Sequence, residues 1–397
     1  MMLGLLLARA GVDVIVIEKH ADFLRDFRGD TVHPSTLRML RELSLLEAFL
    51  ARPHVELSKL TGLFGEEEYT LVDFTTLRTT PPFMALMPQW DFLDLLASAG
   101  KAYPTFRLLM STAATGLTED AGRVTGVHAQ GPDGPLTIAA DLVVACDGRH
   151  STIREAARLP VEDLGAPIDV LWFRLPKAAG DRSTALGRFN AGRILITLDR
   201  GDYYQCAMVI AKGGFEDVRA RGITAFAADV GAVAPFLAER ARDLLQSFDQ
   251  VKLLTVTIDR LTTWHRPGLL CIGDAAHAMS PMGGVGINLA VQDAVATANA
   301  LAEKLRAGTV TEADTAAIQE RRMFAVKVVQ RAQVFLQERM LKPYMGKAEL
   351  TRAPWPMRLF RVMPFLAAIP ARLVGIGVRP EHIRTPDVYA EKPAATA

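Results

Sequence analysis

The sequence predicts an α/β fold in which two domains are interleaved along the chain. At 397 residues, the chain exceeds the usual size of a single domain. The β-branched run at residues 13–18 is typical of a buried strand in a parallel sheet. Three further runs, at 168–175, 193–199 and 203–211, are joined by short turns and indicate an antiparallel sheet. One domain is therefore expected around a parallel sheet and the other on an antiparallel sheet.

The helices follow from the spacing of apolar residues. Residues 2–10 predict a short helix that ends at Gly11, a residue that commonly terminates helices. Leucines at helical spacing predict a helix over 34–50. Further helices are predicted, in chain order, at about 90–100, 223–229, 235–246, 284–306 and 312–341.

Short apolar or alternating runs predict the other strands, which lie at 123–129, 136–139, 142–146, 251–260 and 269–273. The last fifty residues are Pro-rich and are expected to be irregular. Within them, the apolar stretch 359–378 is interrupted by arginines and prolines, which do not suit a membrane span. We expect it to cover the core, with at most weak membrane contact.

The composition is that of an ordinary globular protein. Half of the residues are apolar, 22% are charged and the formal net charge is +1, so no nucleic-acid partner is expected. The three cysteines, Cys146, Cys206 and Cys271, lie in apolar runs and fit no metal site. They predict reduced core thiols in a cytoplasmic protein without a structural metal.

The most specific segment is residues 268–294, GLLCIGDAAHAMSPMGGVGINLAVQDA. A buried strand ends at Gly273, and Asp274 follows at its carboxyl end, where open α/β sheets place ligands. Three glycines then open a helix: Gly283, Gly284 and Gly286. Glycines let the backbone approach a ligand, and the helix start offers unpaired N–H groups to an anion or a polarised carbonyl. Glycines alone would also suit an ordinary strand–loop–helix connection.

This segment closely resembles the second FAD-binding motif of the p-hydroxybenzoate hydroxylase family. The resemblance implies that Asp274 binds the ribityl chain of FAD and that Pro281 lies against the flavin ring. It also implies a backbone contact with the pyrimidine end of the ring, made by Gly283, Gly284, Gly286, Ile287 and Asn288. A helix start at that place would stabilise the negative charge of reduced flavin.

A second segment, DLVVACDGRHSTIREAA at residues 141–157, places Asp147 and Gly148 after an apolar strand. It resembles the Asp-Gly motif of the same family, which contacts FAD and is implicated in pyridine-nucleotide binding. Cys146 stands where alanine is more usual. An Asp-Gly pair after a strand is otherwise a common turn.

Other FAD contacts are implied at single positions. Glu18, followed by Lys19, ends its strand where a dinucleotide-binding unit places the acidic residue that binds the adenosine ribose. Arg28 and Gln89 match family positions on the flavin side of FAD. Arg28 could instead be a surface charge, and Gln89 a polar residue at a helix start.

Family members begin with a strand and the glycine motif G-x-G-x-x-G, which holds the pyrophosphate. Here Met1 stands directly after the place of the third glycine. We hypothesise that the true start codon lies upstream, which the in-frame DNA before Met1 would show. A polypeptide that truly begins at Met1 is expected to retain FAD poorly.

The resemblance also implies a division of the chain. The FAD-binding domain is Rossmann-like, without its first strand and glycines, and an α+β substrate domain is inserted in it. The predicted segments are 1–61, 89–159 and 256–345 for the FAD-binding domain, 62–88 and 160–255 for the substrate domain, and 346–397 for a helical or irregular extension.

The implied activity is hydroxylation of a phenolic or quinone-like aromatic substrate with NAD(P)H and O₂, through a flavin hydroperoxide. No catalytic side chain is assigned, because the cofactor carries the chemistry. His33, His277 and Asp293 are expected to be structural. An FAD-dependent reductase and a non-catalytic remnant without stable FAD binding remain alternatives, whereas the Trp-x-Trp-x-Ile signature of halogenases is absent. Homodimer formation is left open.

Overall fold

The structure, a computed structural model, describes residues 1–24, 31–181, 186–346 and 352–390. Its helices are α1 (Met2–Arg9), α2 (Pro34–Glu42), α3 (Leu46–Leu50), α4 (Gln89–Lys101), α5 (Thr152–Ala156), α6 (Phe215–Ala220), α7 (Ile223–Val233), α8 (Ala238–Leu244), α9 (Val285–Arg306), α10 (Glu312–Leu336), α11 (Trp355–Val362) and α12 (Ala368–Ala371). A π-helical turn, Gln337–Leu341, continues α10.

The strands are β1 (Val14–Ile17), β2 (Thr31–Val32), β3 (Val55–Leu57), β4 (Lys59–Phe64), β5 (Glu67–Asp73), β6 (Met84–Leu86), β7 (Phe106–Leu109), β8 (Ala113–Asp120), β9 (Arg123–Gly131), β10 (Gly134–Ala139), β11 (Val143–Ala145), β12 (Val161–Asp163), β13 (Ile168–Pro176), β14 (Leu186–Asn190), β15 (Arg193–Asp199), β16 (Tyr203–Ala211), β17 (Lys252–Leu254), β18 (Asp259–Leu261), β19 (His265–Arg266) and β20 (Leu269–Cys271).

Two parallel strand pairs form the centre of the part of the molecule that was predicted to be Rossmann-like. β1 pairs with β7, and β11 pairs with β20, whose other neighbour is the antiparallel β19. Within the described ranges, no strand is hydrogen-bonded to the second edge of β1 or of β11. Helix α1 is buried beside β1, where a Cβ on Gly4 would lie 2.7 Å from Cγ2 of Val16. Only glycine therefore lets this helix lie so close to the strand.

The part that was predicted to be the substrate domain is built on a seven-stranded sheet of order β17-β13-β16-β15-β14-β4-β5. The prediction of an antiparallel sheet was incomplete, because β14 and β4 are parallel and the sheet is mixed. Helix α7 covers one face, where Phe226 packs edge-on against Phe173 at 5.4 Å between ring centroids. On the other face, Tyr344, from the segment after α10, packs against Phe64 and Phe189.

Residues at the first turns of α2 and α10 explain why these helices begin where they do. Pro34 occupies the first turn of α2, where a missing N–H costs nothing. At the start of α10, the Thr311 hydroxyl and backbone N–H both donate to the Asp314 carboxylate, at 2.8 and 2.9 Å.

Three predictions about local structure were wrong. The helix expected over 34–50 is interrupted because Ser44 has a left-handed φ of +59°. The strand expected over 251–260 is divided into β17 and β18, because the Val256 N–H donates to the Asp169 carboxylate at 2.9 Å and not to a neighbouring strand. Cys146 is exposed and not in the core, since it lies beyond the last residue of β11.

In the part of the chain that the structure describes, no helix combines the length and apolar character needed to cross a membrane.

Candidate active site

The glycine turn before α9 has backbone angles that residues with a side chain rarely adopt. Gly283 and Gly284 have φ values of +77° and +61°, in the left-handed region that favours glycine. A Cβ on Gly284 would lie 2.2 Å from the Thr31 hydroxyl oxygen, which is closer than any real contact. This hydroxyl donates to the Gly284 carbonyl at 3.0 Å. The turn is thus held against β2 with no space for a side chain.

Asp274 is exposed although its neighbours Gly273 and Ala275 are buried. Its Oδ1 atom lies 3.8 Å from the position that a Cβ on Gly286 would take. The carboxylate therefore lies beside the first turn of α9. An accessible acceptor next to unpaired helix N–H groups suits a ligand that carries hydroxyls and a polar ring edge.

A buried polar cluster lies beneath the same helix start. The hydroxyls of Ser35 and Thr36 donate to the amide oxygen of Asn288 at 2.5 and 2.9 Å. The ring nitrogens of His33 lie 2.8 Å from the Val374 carbonyl and 2.9 Å from the Gly284 carbonyl. These contacts join the start of α2 to the start of α9. These contacts were not predicted from the sequence, because serine and threonine after a proline are ordinary residues at a helix start.

The environment of His33 acts on its proton in two directions. Burial lowers the pKa of His33, whereas the two carbonyl oxygens favour the protonated ring and act to raise it. Burial prevails, so the pKa of His33 lies below its usual range.

His277, Asp293 and Arg322 form a fully buried charge network behind the site. Asp293 accepts hydrogen bonds from His277 Nε2 at 2.6 Å, from Arg322 Nε at 2.8 Å and from the Gly273 N–H at 3.1 Å. Burial acts to raise the pKa of Asp293, but His277 and Arg322 hold it below the usual range. The network connects the end of β20 to α9 and α10. Contacts of this kind are typical of structural residues.

The loop that carries Pro281 is fixed by glutamines of α10. Gln330 donates to the Ala278 carbonyl at 3.1 Å. Gln333 accepts from the Ser280 N–H at 3.1 Å and donates to the carbonyls of Ser280 and Met282, both at 3.0 Å. These glutamines were not predicted from the sequence. Their spacing of three residues places them on one face of α10, and this is the sequence feature that could have indicated a shared contact.

Asp147 lies after β11, as predicted, but its carboxylate is engaged locally. It accepts from the Ser151 hydroxyl and from the Ile153 N–H, the latter at 3.1 Å. Ser151 in turn caps α5 by accepting from the Arg154 N–H at 2.9 Å. Gly148 has a left-handed φ of +88°. Asp147 thus fixes the turn into α5.

Glu18 directly follows β1, and its carboxylate accepts from the His20 N–H at 3.0 Å. Both Glu18 and Cys146 act electrostatically on the amino group of Met1, so the start of α1 lies near the carboxyl ends of β1 and β11. Lys19 is exposed and Gln89 is the half-buried first residue of α4. Arg28 lies outside the described residues.

The structure therefore places Glu18, Asp147 and Asp274 at the carboxyl ends of β1, β11 and β20. Among the described residues there is no cluster of His, Cys, Asp and Glu that could hold a metal ion. An accessible carboxylate, a glycine turn without space for a side chain and a helix start fit the ribityl chain and ring edge of FAD.

Comparison with known proteins identifies the class. The profile of the FAD binding domain family matches residues 1–332, and the chain belongs to this family. It is an FAD-dependent monooxygenase. Over 397 residues it is 31% identical to 6-methylpretetramide 4-monooxygenase of Streptomyces rimosus, in an alignment that covers 99% of this chain and 93% of the relative.

Solved structures agree with this class. OxyS anhydrotetracycline hydroxylase from Streptomyces rimosus superposes with a TM-score of 0.73 at 25% identity, over 96% of this chain and 74% of OxyS. PqsL of Pseudomonas aeruginosa, with a TM-score of 0.71 at 21% identity, shares the fold over 85% of this chain and 92% of its own. The predicted family, FAD binding and monooxygenase class are confirmed. The roles of single site residues and the domain boundaries stay predictions.

Proposed function

We propose that the protein hydroxylates a polycyclic phenol, using NAD(P)H and O₂, and that 6-methylpretetramide or a close analogue is its substrate. The observation that carries this proposal is the similarity to 6-methylpretetramide 4-monooxygenase, which extends over nearly all of both chains. The candidate site supports it, because its residues suit FAD.

Each end of the cofactor has residues that suit it. Asp274 would accept hydrogen bonds from the ribityl hydroxyls, and the N–H groups that follow Gly284 would bind the pyrimidine edge. Glu18 binds the adenosine ribose, and the turn held by Asp147 approaches the cofactor backbone. When bound, FAD would supply the redox chemistry of the reaction, which is acceptance of a hydride from NAD(P)H and activation of O₂.

The chain's own contribution is positioning, charge stabilisation and exclusion of water. The start of α9 stabilises negative charge at the pyrimidine edge. Gln333 holds the Pro281 loop at a fixed distance from α10. The mixed sheet, as the core of the predicted substrate domain, would cover the site and keep water away from the reacting groups. NAD(P)H docks transiently, since one dinucleotide-binding unit is evident. The cytoplasmic location and a homodimer stay predictions.

Oxygen labelling tests the proposal. The purified protein, supplied with FAD, NADPH or NADH and 6-methylpretetramide, is incubated under ¹⁸O₂, and the product mass and NAD(P)H consumption are measured. We expect one ¹⁸O atom per product molecule and NAD(P)H oxidation that the phenol stimulates.

The other outcomes identify the alternatives. Stimulated NAD(P)H oxidation without oxygen incorporation indicates a reductase. A folded protein that binds no FAD and consumes no NAD(P)H indicates a non-catalytic remnant.

A further inference from the structure

Three glutamines lie along one face of the end of α10 and of the π-helical turn that continues it, and within the described part of the chain only two of them have hydrogen-bond partners. Gln330, Gln333 and Gln337 are spaced by three and four residues, which places them on the same side of the helix. The first two bind the loop that precedes α9. Gln337 is fully buried, and neither its amide nitrogen nor its amide oxygen has a hydrogen-bond partner among the residues that the structure describes.

Such an amide is costly to maintain. A buried polar group without a partner has given up its hydrogen bonds to water without replacement, and native proteins pair nine-tenths or more of such groups. An apolar residue of similar size at position 337 would avoid this cost. The amide is therefore expected to serve a molecule that is not part of the chain.

The position of Gln337 indicates which molecule this is. One helical turn before it, Gln333 holds the Met282 carbonyl in the Pro281 loop. Shortly after it, Tyr344 packs against Phe64 on the face of the mixed sheet, and Leu341 packs against the same apolar cluster. Gln337 thus lies between the contact of α10 with the Pro281 loop and the contact of the following segment with the mixed sheet. Under the proposed function these are the flavin side and the substrate side of the site, so an aromatic substrate would lie near Gln337.

The backbone also changes at this residue. The α-helical hydrogen-bonding pattern ends at Leu336, and Gln337 begins the π-helical turn Gln337–Leu341. Such turns are rare and frequently occur at functional sites. Because the side chain is enclosed, a substrate reaches it only when this turn shifts.

We propose that Gln337 binds the substrate through two hydrogen bonds to a carboxamide of that substrate. The Gln337 amide offers one acceptor and two donors, and another amide is the group that satisfies an acceptor and an adjacent donor together. This inference rests on the proposed function, and the name 6-methylpretetramide itself designates an amide. Gln337 would then select among phenols and orient the ring, without taking part in the chemistry.

The test is a Gln337→Met substitution, which keeps the length of the side chain and removes its hydrogen bonds. Dissociation constants for 6-methylpretetramide and for FAD are measured, with the melting temperature of the substrate-free protein. We expect substrate affinity to fall by about tenfold or more, because two neutral hydrogen bonds are lost. FAD affinity is expected to be unchanged and the melting temperature equal or higher, because the unpaired amide is gone.

Gln333→Met is the matched control. It removes the bonds to Ser280 and Met282 and should lower both the melting temperature and FAD affinity. If Gln337→Met lowers the melting temperature in the same way, Gln337 is a structural residue and the inference is overturned. Equal substrate affinity in Gln337→Met and wild type overturns this inference alone. A wild-type protein that does not bind 6-methylpretetramide contradicts the proposed function as well.

Discussion

Gly284 is the residue at which the site leaves least space for a side chain. Its φ lies in the left-handed region, and the Thr31 hydroxyl oxygen lies 2.2 Å from the place that its Cβ would take. Both factors oppose a side chain at this position. The first factor imposes backbone strain on any other residue, and the second imposes a collision. The two can be separated, because Gly308 has a similar φ of +64° with nothing within 4 Å of its Cβ position.

We therefore predict that Gly284→Ala weakens FAD binding by about tenfold or more and costs about 1–3 kcal/mol of stability, through displacement of the turn from Thr31. Gly308→Ala should lose about 1 kcal/mol through backbone strain alone and bind FAD normally. Fluorescence titration of FAD and denaturant unfolding measure both quantities. Equal effects of the two substitutions would show that the contact with Thr31 is unimportant.

At the scale of elements, the charge network of His277, Asp293 and Arg322 joins β20, α9 and α10. All three side chains are essentially inaccessible to solvent. Removing Asp293 takes away the nearer of the two carboxylates beside the buried Arg322 guanidinium and leaves Glu381, 3.6 Å away. The network therefore determines how firmly the glycine turn and the Pro281 loop are held to the rest of the molecule.

Asp293→Asn is predicted to destabilise the fold by about 3 kcal/mol, since the buried Arg322 charge loses the nearer of its two carboxylate partners and keeps Glu381 at 3.6 Å. The folded protein holds the pKa of Asp293 below its usual range. Its contribution to stability is thus complete above a pH of about 4, the ordinary carboxyl pKa, and is lost as the pH falls below that value. Unfolding measured between neutral and acid pH should show a weaker acid dependence in the variant.

The control is Asp243→Asn, at an exposed pair with Arg242, which should leave the melting temperature unchanged. Similar effects at both sites would refute the role of the buried network.

At the scale of the whole molecule, the sequence predicted what depends on local patterns. The strands at 168–175, 193–199 and 203–211 correspond to β13, β15 and β16 almost to the residue, since hydrophobic runs and turn residues define them. The parallel pairing of β14 with β4 joins residues more than a hundred positions apart, and no local pattern reports it.

The same distinction holds for the site. Asp274 and the glycines before α9 form one continuous segment with a recognisable spacing. By contrast, the contacts of Ser35 with Asn288 and of Gln333 with Met282 span large sequence separations. Only packing brings these residues together. Their side chains are common polar types, so neither partner identifies the other in the sequence.

The central claim is that Asp274 and the start of α9 bind the flavin half of FAD. The direct measurement is the FAD dissociation constant of Asp274→Ala beside wild type, with Asp133→Ala, an exposed turn residue, as the control. Hydrogen bonds to a charged group contribute about 1.5–3 kcal/mol, so we expect Asp274→Ala to bind FAD about tenfold more weakly or worse, while the control binds as wild type does. An Asp274→Ala protein that binds FAD as tightly as wild type would contradict the claim.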